Sequence, residues 1–247
     1  MTETDARHDG PEAFERVNFF SGMMLTSEDL RCEQAYHRGK HAAFVRAAHG
    51  VGTVCGLAVR PTDPPGREIV VDSGLAVDRL GREIVVPSSQ TLAVDDDGRP
   101  GDDRRLAVAL RYAEVSIDPV PVPAAPDAHE GMEPSRIRES FELFLTDVRG
   151  LAPARRRPPD RLVGREGLHS QLVRRAIEPC SRASERELLL AAVTVPASGS
   201  ITSQHIDNTV RPIVLTDDLV VSLLAELDRR RPSSSRWSRL RGVVGRR

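Results

Sequence analysis

The spacing of hydrophobic residues changes along the chain. It is helical in the N-terminal part and typical of short strands after it, which separates a helix from a β-rich region. From residue 26 to residue 48 the apolar residues recur at helical spacing, so that Leu30 and Phe44 share one face. Thr26 or Ser27 is expected to cap this helix, because a hydroxyl can accept a hydrogen bond from the free amides of the first turn. The pattern therefore predicts a helix that buries Phe44 against the sheet that follows.

The neighbouring face of the predicted helix carries mostly small side chains, which allow another backbone to approach closely. Its members are Cys32, Ala35, Tyr36, Gly39, Ala43 and Ala47. Gly50 and Gly52 are expected to end the helix, since glycine tolerates the positive φ that is common at a helix C-terminus.

Beyond residue 51 the chain becomes a series of short β-branched runs separated by glycine, proline and aspartate. The string Gly-Arg-Glu-Ile-Val-Val occurs at residues 66–71 and again at residues 81–86. Three successive β-branched residues predict strands covered on both faces, and the segment between the two copies predicts a meander of three strands. Gly56, in the irregular strand that precedes them, indicates a bulge or a close approach of two backbones.

The second half of the chain mixes predicted strands with segments of biased composition. Strands are predicted at residues 106–112, 141–148 and 188–195. Thr216 is expected to cap a short last helix that runs to about Leu227. Five prolines fall within residues 115–135 and predict an extended or mobile loop, because proline donates no backbone hydrogen bond. Residues 149–180 are expected to form a basic linker followed by a helix.

These elements predict an α+β protein that is mostly β, with the N-terminal helix packed on a mixed or antiparallel sheet region of sandwich or barrel type. The predicted segments are a disordered N-terminus at residues 1–11, a helical segment at residues 12–50, a β-rich domain at residues 51–228 and a basic tail at residues 229–247. Aromatic residues make up only 4% of the chain, so the core is expected to consist of valine, leucine, isoleucine and alanine.

Charge and composition narrow the class of protein. A formal net charge of −1 argues against a surface that binds nucleic acid generally, so no specific nucleic-acid partner is expected. The first residues lack the apolar segment of a signal peptide, and no run approaches the roughly 18 apolar residues of a membrane span. Three cysteines are too few and too scattered for a disulfide framework. The expected compartment is the cytoplasm.

Only one pair of residues has a spacing that suggests metal chemistry. His37 and His41 lie four residues apart on one helical face, which can chelate a metal, but no second close pair completes a tetrahedral set. Packing or hydrogen bonding is therefore the favoured role of both histidines. A metal-dependent hydrolase that uses His37 and His41 is the alternative.

The other polar groups favour structural roles. The aspartates of residues 95–103 lack the spacing of a calcium loop and predict a solvated turn, and Cys55 is expected to be buried and inert. Four carboxylates in the repeat region are expected to be solvated: Glu68, Asp72, Asp78 and Glu83. The chain has no Gly-x-Ser-x-Gly elbow and no glycine-rich phosphate loop. We therefore expect no catalytic, cofactor-binding or metal-binding residues, and a protein that is not an enzyme.

Several stretches resemble a known group of proteins. They are NFFSGMMLTSEDL, EQAYHRGKHAAFVRAAHGVGTVCGLAV and SGLAVDRLGREIVV. These stretches are similar to a family of uncharacterised bacterial proteins associated with contractile injection systems and phage-tail-like loci, and the resemblance covers most of residues 14–228. VCGLAV and AAVTVPASGSITSQHIDNTVRP are more loosely similar to segments of phage tail-fibre and baseplate proteins. The family often carries Cys-x-x-Cys near Cys180, where this chain has Ala183 in place of the second cysteine.

The resemblance implies a non-enzymatic structural or adaptor subunit that is assembled into a phage-tail-like contractile particle, at the baseplate or at a fibre attachment. Its implied partners are the other baseplate or fibre subunits, and a homo-oligomer is compatible with that role. A soluble regulatory protein that binds a partner through residues 115–135 and the basic tail is a further alternative.

The basic tail holds eight arginines and no acidic residue, together with Trp237. The tail is predicted either to be a solvated end or to dock on an acidic surface through the apolar residues among its arginines, and acidic protein, anionic lipid and nucleic acid are all compatible partners. Deleting the tail is expected to leave a folded protein that binds its assembly more weakly. Binding of the full chain should weaken with salt, as the Debye length falls from about 10 Å at 0.1 M to about 3 Å at 1 M. Cosedimentation of both forms with particles tests this, and equal incorporation at low and high salt would identify a solvated end.

Overall fold

The computed structural model describes residues 13–94, 104–122, 131–147, 187–196 and 199–229. Four predicted segments lie outside the described residues, apart from Arg229 of the basic tail. They are the disordered N-terminus, the acidic turn at residues 95–103, the linker and helix at residues 149–180, and the basic tail. The chain divides into two units, Met1–Val214 and Leu215–Arg247.

The first helix, α1, spans Ser27–His49 and begins at a reciprocal cap. The Thr26 hydroxyl accepts a hydrogen bond from the Asp29 amide at 3.2 Å, and the Asp29 carboxylate accepts one from the Thr26 amide at 2.8 Å. Each side chain thereby satisfies a backbone donor at the helix start. The helix ends at Gly50, whose φ of 79° favours glycine. The predicted cap at Thr26 and stop at Gly50 are confirmed.

Ten strands follow in the described ranges. They are β1 Gly52–Gly56, β2 Val59–Pro61, β3 Glu68–Val71, β4 Gly74–Val77, β5 Glu83–Val86, β6 Gln90–Ala93, β7 Arg104–Val122, β8 Gly131–Asp147, β9 Leu188–Val195 and β10 Ile206–Asp207. They form three antiparallel sheets with the orders β1-β4-β5, β2-β3-β6 and β10-β9-β7-β8. The fold is mostly β, as predicted, but its sheets are open and the described strands form no closed barrel.

The two Glu-Ile-Val-Val copies lie in different sheets, so the predicted meander is wrong for its first two strands, whereas the predicted pairing of β4 with β5 is confirmed. β3 pairs with β2 and β6, whereas β4 pairs with β1 and β5. The first two sheets come together where β1 turns towards β2, at Gly56 with φ 64° and Leu57 with φ 56°. A Cβ on Gly56 would lie 2.9 Å from the Gly74 Cα, which confirms the predicted close approach of two backbones.

Each copy buries one face, although three β-branched residues in succession predicted burial on both. The isoleucine and the last valine of each copy are buried, whereas Val85 is 61% exposed. This is the alternation of an antiparallel sheet with one face on the core and the other in water.

A single large core lies among the three sheets. Its most buried side chains include Ile69, Ile84, Leu110 and Leu190, and aliphatic residues make up nearly all of it, as predicted. Tyr112 is the one aromatic residue among the buried residues that the structure describes. Burial of this aliphatic surface is the main stabilising contribution to the first unit.

Phe44 is exposed, so the prediction that it is buried against the sheet is wrong. Its exposed fraction is 67%, and that of Leu30 on the same face is 54%. Val45 is instead the buried residue of α1, and it packs with Val77 and Val214. The helix is therefore rotated by about one residue from the orientation that its apolar pattern predicted.

The backbone of α1 contacts the turn between β4 and β5. Gly81 in this turn has a φ of 87°, and a Cβ on it would overlap the carbonyl of Ala42 and lie 3.0 Å from the Cβ of Arg46. Gly81 is thus required both by its own backbone conformation and by the closeness of the helix.

β7 and β8 continue as a two-stranded ribbon well beyond β9. β9 pairs with β7 only from Arg104 to Leu110, whereas β8 pairs with β7 as far as Val122. Residues 115–122 and 131–135 are therefore strands, and the loop predicted for residues 115–135 is wrong there. The prolines are compatible with these strands, because proline is tolerated at positions that need not donate to a further strand.

The segment after β9 closes the edge of β2 with a side chain. The Asn208 amide oxygen accepts a hydrogen bond from the Val59 amide at 3.0 Å, and its amide nitrogen donates to the Val59 carbonyl at 2.9 Å. The Asn208 side chain therefore takes the place of one residue of a neighbouring strand.

The second unit contains helix α2, Asp217–Arg229, which begins after Thr216 as predicted. The Thr216 hydroxyl accepts a hydrogen bond from the Leu219 amide at 3.5 Å. Neither helix of the described ranges combines the length and the apolarity that crossing a bilayer requires.

Replacing Gly81 with alanine is expected to destabilise the protein more than the same change at Gly22. The two glycines have nearly equal φ, 87° and 86°, but nothing lies within 4 Å of a Cβ on Gly22. Gly22→Ala should cost the strain of one left-handed residue, about 1 to 2 kcal/mol, whereas Gly81→Ala must also displace α1. Urea unfolding measures both losses, and equal values would show that α1 does not rest on this turn.

Candidate functional site

The two histidines of α1 contact different carboxylates. The Nε2 atom of His37 lies 3.0 Å from a carboxylate oxygen of Glu33 in the same helix, and that of His41 lies 3.3 Å from a carboxylate oxygen of Glu83 in β5. Within the described ranges, no three His, Cys, Asp or Glu side chains are grouped so that they could hold a metal ion. The histidines therefore have hydrogen-bonding geometry, and His41 links the helix to the sheet.

Cys55 is exposed, so the expectation that it is buried is wrong. β1 lies at the edge of its sheet, and its register against β4 shifts between Thr53 and Cys55, which turns the thiol away from the core. Among the four carboxylates expected to be solvated, Glu68 and Glu83 are exposed, and Asp72 lies 2.8 Å from the guanidinium of Arg60.

Asp78 is fully buried, which corrects the expectation of a solvated carboxylate. Its Oδ1 accepts hydrogen bonds from the amides of Leu80 and Arg82 at 2.8 and 2.9 Å, and its Oδ2 accepts one from the Arg82 guanidinium at 2.7 Å. These bonds replace the water that the carboxylate loses on burial. They also fix the β4–β5 turn that contacts α1.

Arg82 connects this turn to the long strand β7. Its guanidinium carbon lies 4.3 Å from the centre of the Tyr112 ring, at cation–π distance. The Tyr112 hydroxyl donates to Glu114 at 2.9 Å, and the guanidinium of Arg38 in α1 donates to the same carboxylate oxygen. A continuous polar network therefore joins α1, the β4–β5 turn and β7.

An open cleft of about 430 Å³ lies beside this network. We call it the polar cleft. Its lining residues are Arg82, Arg111, Tyr112, Ala113, Glu114, Glu142 and Glu187. It lies where β7 continues past the first residue of β9, since the pairing of those two strands stops at Leu110 with Leu188. Across β7 and β8, Arg111 donates two hydrogen bonds to Glu142, one of them at 3.0 Å.

The pKa shifts in the polar cleft show that each group is held in the charge state that it has at neutral pH. The Tyr112 hydroxyl, and to a smaller degree Arg38, lowers the pKa of Glu114, while burial and the bond to Glu114 raise the pKa of Tyr112. The hydrogen bond to Glu142 raises the pKa of Arg111. General acid–base catalysis works best with a pKa near the working pH, and all three shifts lead away from it. The arrangement is that of a structural network.

The sequence contains little signal for this network. The Asp-x-x-Gly-Arg string at residues 78–82 indicates a turn closed by an aspartate, and it lies inside one of the stretches that carry the family resemblance. Arg38, Tyr112 and Glu114 come from two elements far apart in the chain, and their spacing does not predict that they meet.

Comparison with known proteins gives structural likeness only. No family model and no curated protein matches the sequence. A chain of the TssK-TssF-TssG baseplate subcomplex of the type VI secretion system matches 88% of this chain and 68% of its own length, at 12% identity and a TM-score of 0.42. The baseplate complex from the type VI secretion system matches 88% of this chain and 65% of the other, at 11% identity and a TM-score of 0.43.

The crystal structure of TssK matches 57% of this chain and 36% of the other, at 14% identity and a TM-score of 0.36. In two of these three matches, this chain spans less than two thirds of the other protein's length. TM-scores below 0.5 establish neither a shared fold nor a shared role.

Tyr112→Phe is expected to cost about 1 to 2 kcal/mol of unfolding free energy near neutral pH, because a hydrogen bond to an ionised carboxylate is lost. The folded-state pKa of Glu114 lies below its ordinary value of 4.5, so this contribution is present above that pH and is lost as the pH falls through the folded-state value. The folded-state pKa of Tyr112 is raised above its ordinary value of 10.0. The stabilisation by its neutral hydroxyl is therefore present below that pH and declines as the pH rises further.

Urea unfolding of the wild type and the variant from about pH 3 to about pH 9 measures this difference. Tyr36→Phe is the matched control, because the Tyr36 hydroxyl contacts Lys40 at 3.4 Å and bonds to no carboxylate of the residues that the structure describes. A stability difference between the wild type and Tyr112→Phe that does not change with pH would contradict the role of Glu114.

Proposed function

We propose that this protein is a non-enzymatic structural or adaptor subunit of a phage-tail-like contractile particle, at the baseplate or at a fibre attachment. The observation that carries the proposal is the pairing of charged groups in the polar cleft, where Arg111 bonds to Glu142 and Glu114 bonds to Arg38 of α1. Charges that are bound to each other stabilise the fold and are poorly placed to bind a substrate or to transfer a proton. We therefore assign the function of the protein to contacts made by its exposed surfaces.

Exposed apolar side chains near the first helix support this assignment. Met24 is 85% exposed, Phe44 67% and Phe20 66%. Phe20, Met24 and Leu25 are exposed within six residues of the chain, and such groups of large exposed apolar side chains commonly mark sites of protein–protein contact. Another subunit of the particle is the proposed partner of this region.

The family resemblance is the reason for proposing a contractile particle as the assembly that contains this protein. The stretches around Asn18–Leu30 and Ser73–Val86 resemble proteins of contractile injection and phage-tail-like loci. The structures similar to this chain are named for type VI secretion baseplates, and at their TM-scores they add no argument. The hydrolase alternative gains no support from the histidines, which contact separate glutamates.

Purified particles test the proposal directly. The wild-type chain is expected to copurify with sheath and baseplate proteins at a fixed ratio. A variant with Phe20→Ser and Met24→Ser should remain folded and lose incorporation, because it removes apolar contact surface without changing a buried side chain.

The control variant combines Arg111→Gln with Glu142→Gln, which removes the charge pair of the polar cleft and leaves the apolar surface intact. It is expected to be incorporated as well as the wild type and to support particle function. Absence of the wild-type chain from particles would overturn the proposed setting. A control variant that is incorporated but inactive would overturn the non-enzymatic assignment.

A further inference from the structure

Among the described strands, none pairs with the outer part of the β7–β8 pair apart from β7 and β8 themselves. We define the ribbon as residues 111–122 and 131–142, which pair with each other after the pairing of β7 with β9 has ended at Leu110. A two-stranded ribbon is marginally stable in water when it stands by itself. All of residues 131–139 are exposed, and so are most of residues 114–122. The ribbon therefore needs further packing to be a stable element.

The ribbon has two faces of different charge. Residues paired across an antiparallel ribbon share a face, and successive residues alternate between faces. On one face, Val115 is opposite Arg138, Ile117 is opposite Arg136, and Pro121 is opposite Met132. We call this the basic face.

The opposite face carries glutamates. There Glu114 is opposite Glu139, Ser116 is opposite Ile137, and Val120 is opposite Glu133. We call this the acidic face. At its inner end Glu114 is bonded to Arg38 and Tyr112, so the part towards the tip of the ribbon is the part open to a partner.

Each face also exposes large apolar side chains. On the basic face Met132 is 61% exposed and Val115 48%, and on the acidic face Ile137 is 62% exposed and Val120 44%. A layer of β-structure with apolar side chains on both faces is stabilised when another layer covers it. Both faces of the ribbon have this requirement.

The opposite charges of the two faces determine which partner fits the ribbon. Arg138 on the basic face and Glu133 on the acidic face have no ion-pair or hydrogen-bond partner among the described residues, whereas Arg136 is bonded to Asp118 at 2.8 Å. Within the described ranges, one face thus offers a cation and the other an anion that no ion pair uses, each beside exposed apolar groups. A second ribbon of the same sequence provides the complement of both faces.

We propose that the ribbon is a self-association arm, in which the basic face of one copy packs on the acidic face of a second copy. The contact joins two different surfaces, so it is heterologous, and repeating it produces a ring or a linear assembly of this chain. It requires only this protein, so it goes beyond the proposed place in a particle and is tested without particles.

Sedimentation of the purified full-length protein over a range of concentrations tests the proposal. The wild type is expected to self-associate and to dissociate as salt is added. Arg138→Glu gives a chain with two acidic faces, and Glu133→Arg gives one with two basic faces. Each variant should associate at least about tenfold more weakly, since like charges then meet in the contact.

An equimolar mixture of the two variants provides the decisive result. The acidic face of one variant then meets the basic face of the other, so the mixture is expected to regain association that neither variant shows by itself. Arg105→Glu is the matched control, because Arg105 is exposed on β7 but lies outside the ribbon. This control should associate like the wild type.

Three results would overturn the proposal: a wild type that stays monomeric at its highest soluble concentration, reversal variants that associate like the wild type, or a mixture that does not regain association. Circular dichroism verifies that each variant is folded. If a charge reversal unfolds the chain, Val115→Ser on the basic face and Ile137→Ser on the acidic face replace it. Either serine variant is then expected to weaken association, and unchanged association would also overturn the proposal.

Discussion

The buried carboxylate of Asp78 is the interaction on which the arrangement of the first unit depends. An ionised group without access to water is tolerated only when hydrogen bonds replace its hydration, and here two backbone amides and the Arg82 guanidinium do so. The same bonds shape the turn that brings Gly81 against the carbonyl of Ala42. They also hold Arg82 over the ring of Tyr112. One carboxylate thus sets the distance between helix, turn and long strand.

The polar cleft shows how a set of residues typical of active sites can have a structural role. It contains arginines, glutamates and a tyrosine, but hydrogen bonds already use four of its side chains, Arg111, Tyr112, Glu114 and Glu142. The shifts in pKa at Tyr112 and Glu114 follow from that pairing and oppose a change of charge near neutral pH. The same bonds support the inner end of the ribbon, because Glu114 is both a member of the network and the last ribbon residue tied to α1.

The local sequence pattern predicted most of the described helices and strands. The errors come from packing between residues that are far apart in the chain. The cap at Thr26 and the strand at residues 188–195 depend on neighbours in sequence, so a short window contains their cause. The rotation of α1 depends on Gly81, which lies on another element, and the burial of Phe44 was therefore predicted wrongly. Prolines predicted a loop at residues 115–135, because a short window of sequence does not reveal that no other described strand needs hydrogen bonds from the ribbon. The polar cleft was not predictable, since its members meet only in the folded chain.

The bond between Asn208 and Val59 has a consequence for the order in which the protein is made. The two residues are 149 positions apart, so during synthesis β2 is complete long before the side chain that closes its edge leaves the ribosome. Contacts of such separation form late and slow the folding of β-rich proteins. Until Asn208 arrives, the nascent chain presents an open strand edge, which is a surface on which other chains can pair. The nascent protein is therefore open to pairing with other chains during the interval of translation between β2 and Asn208.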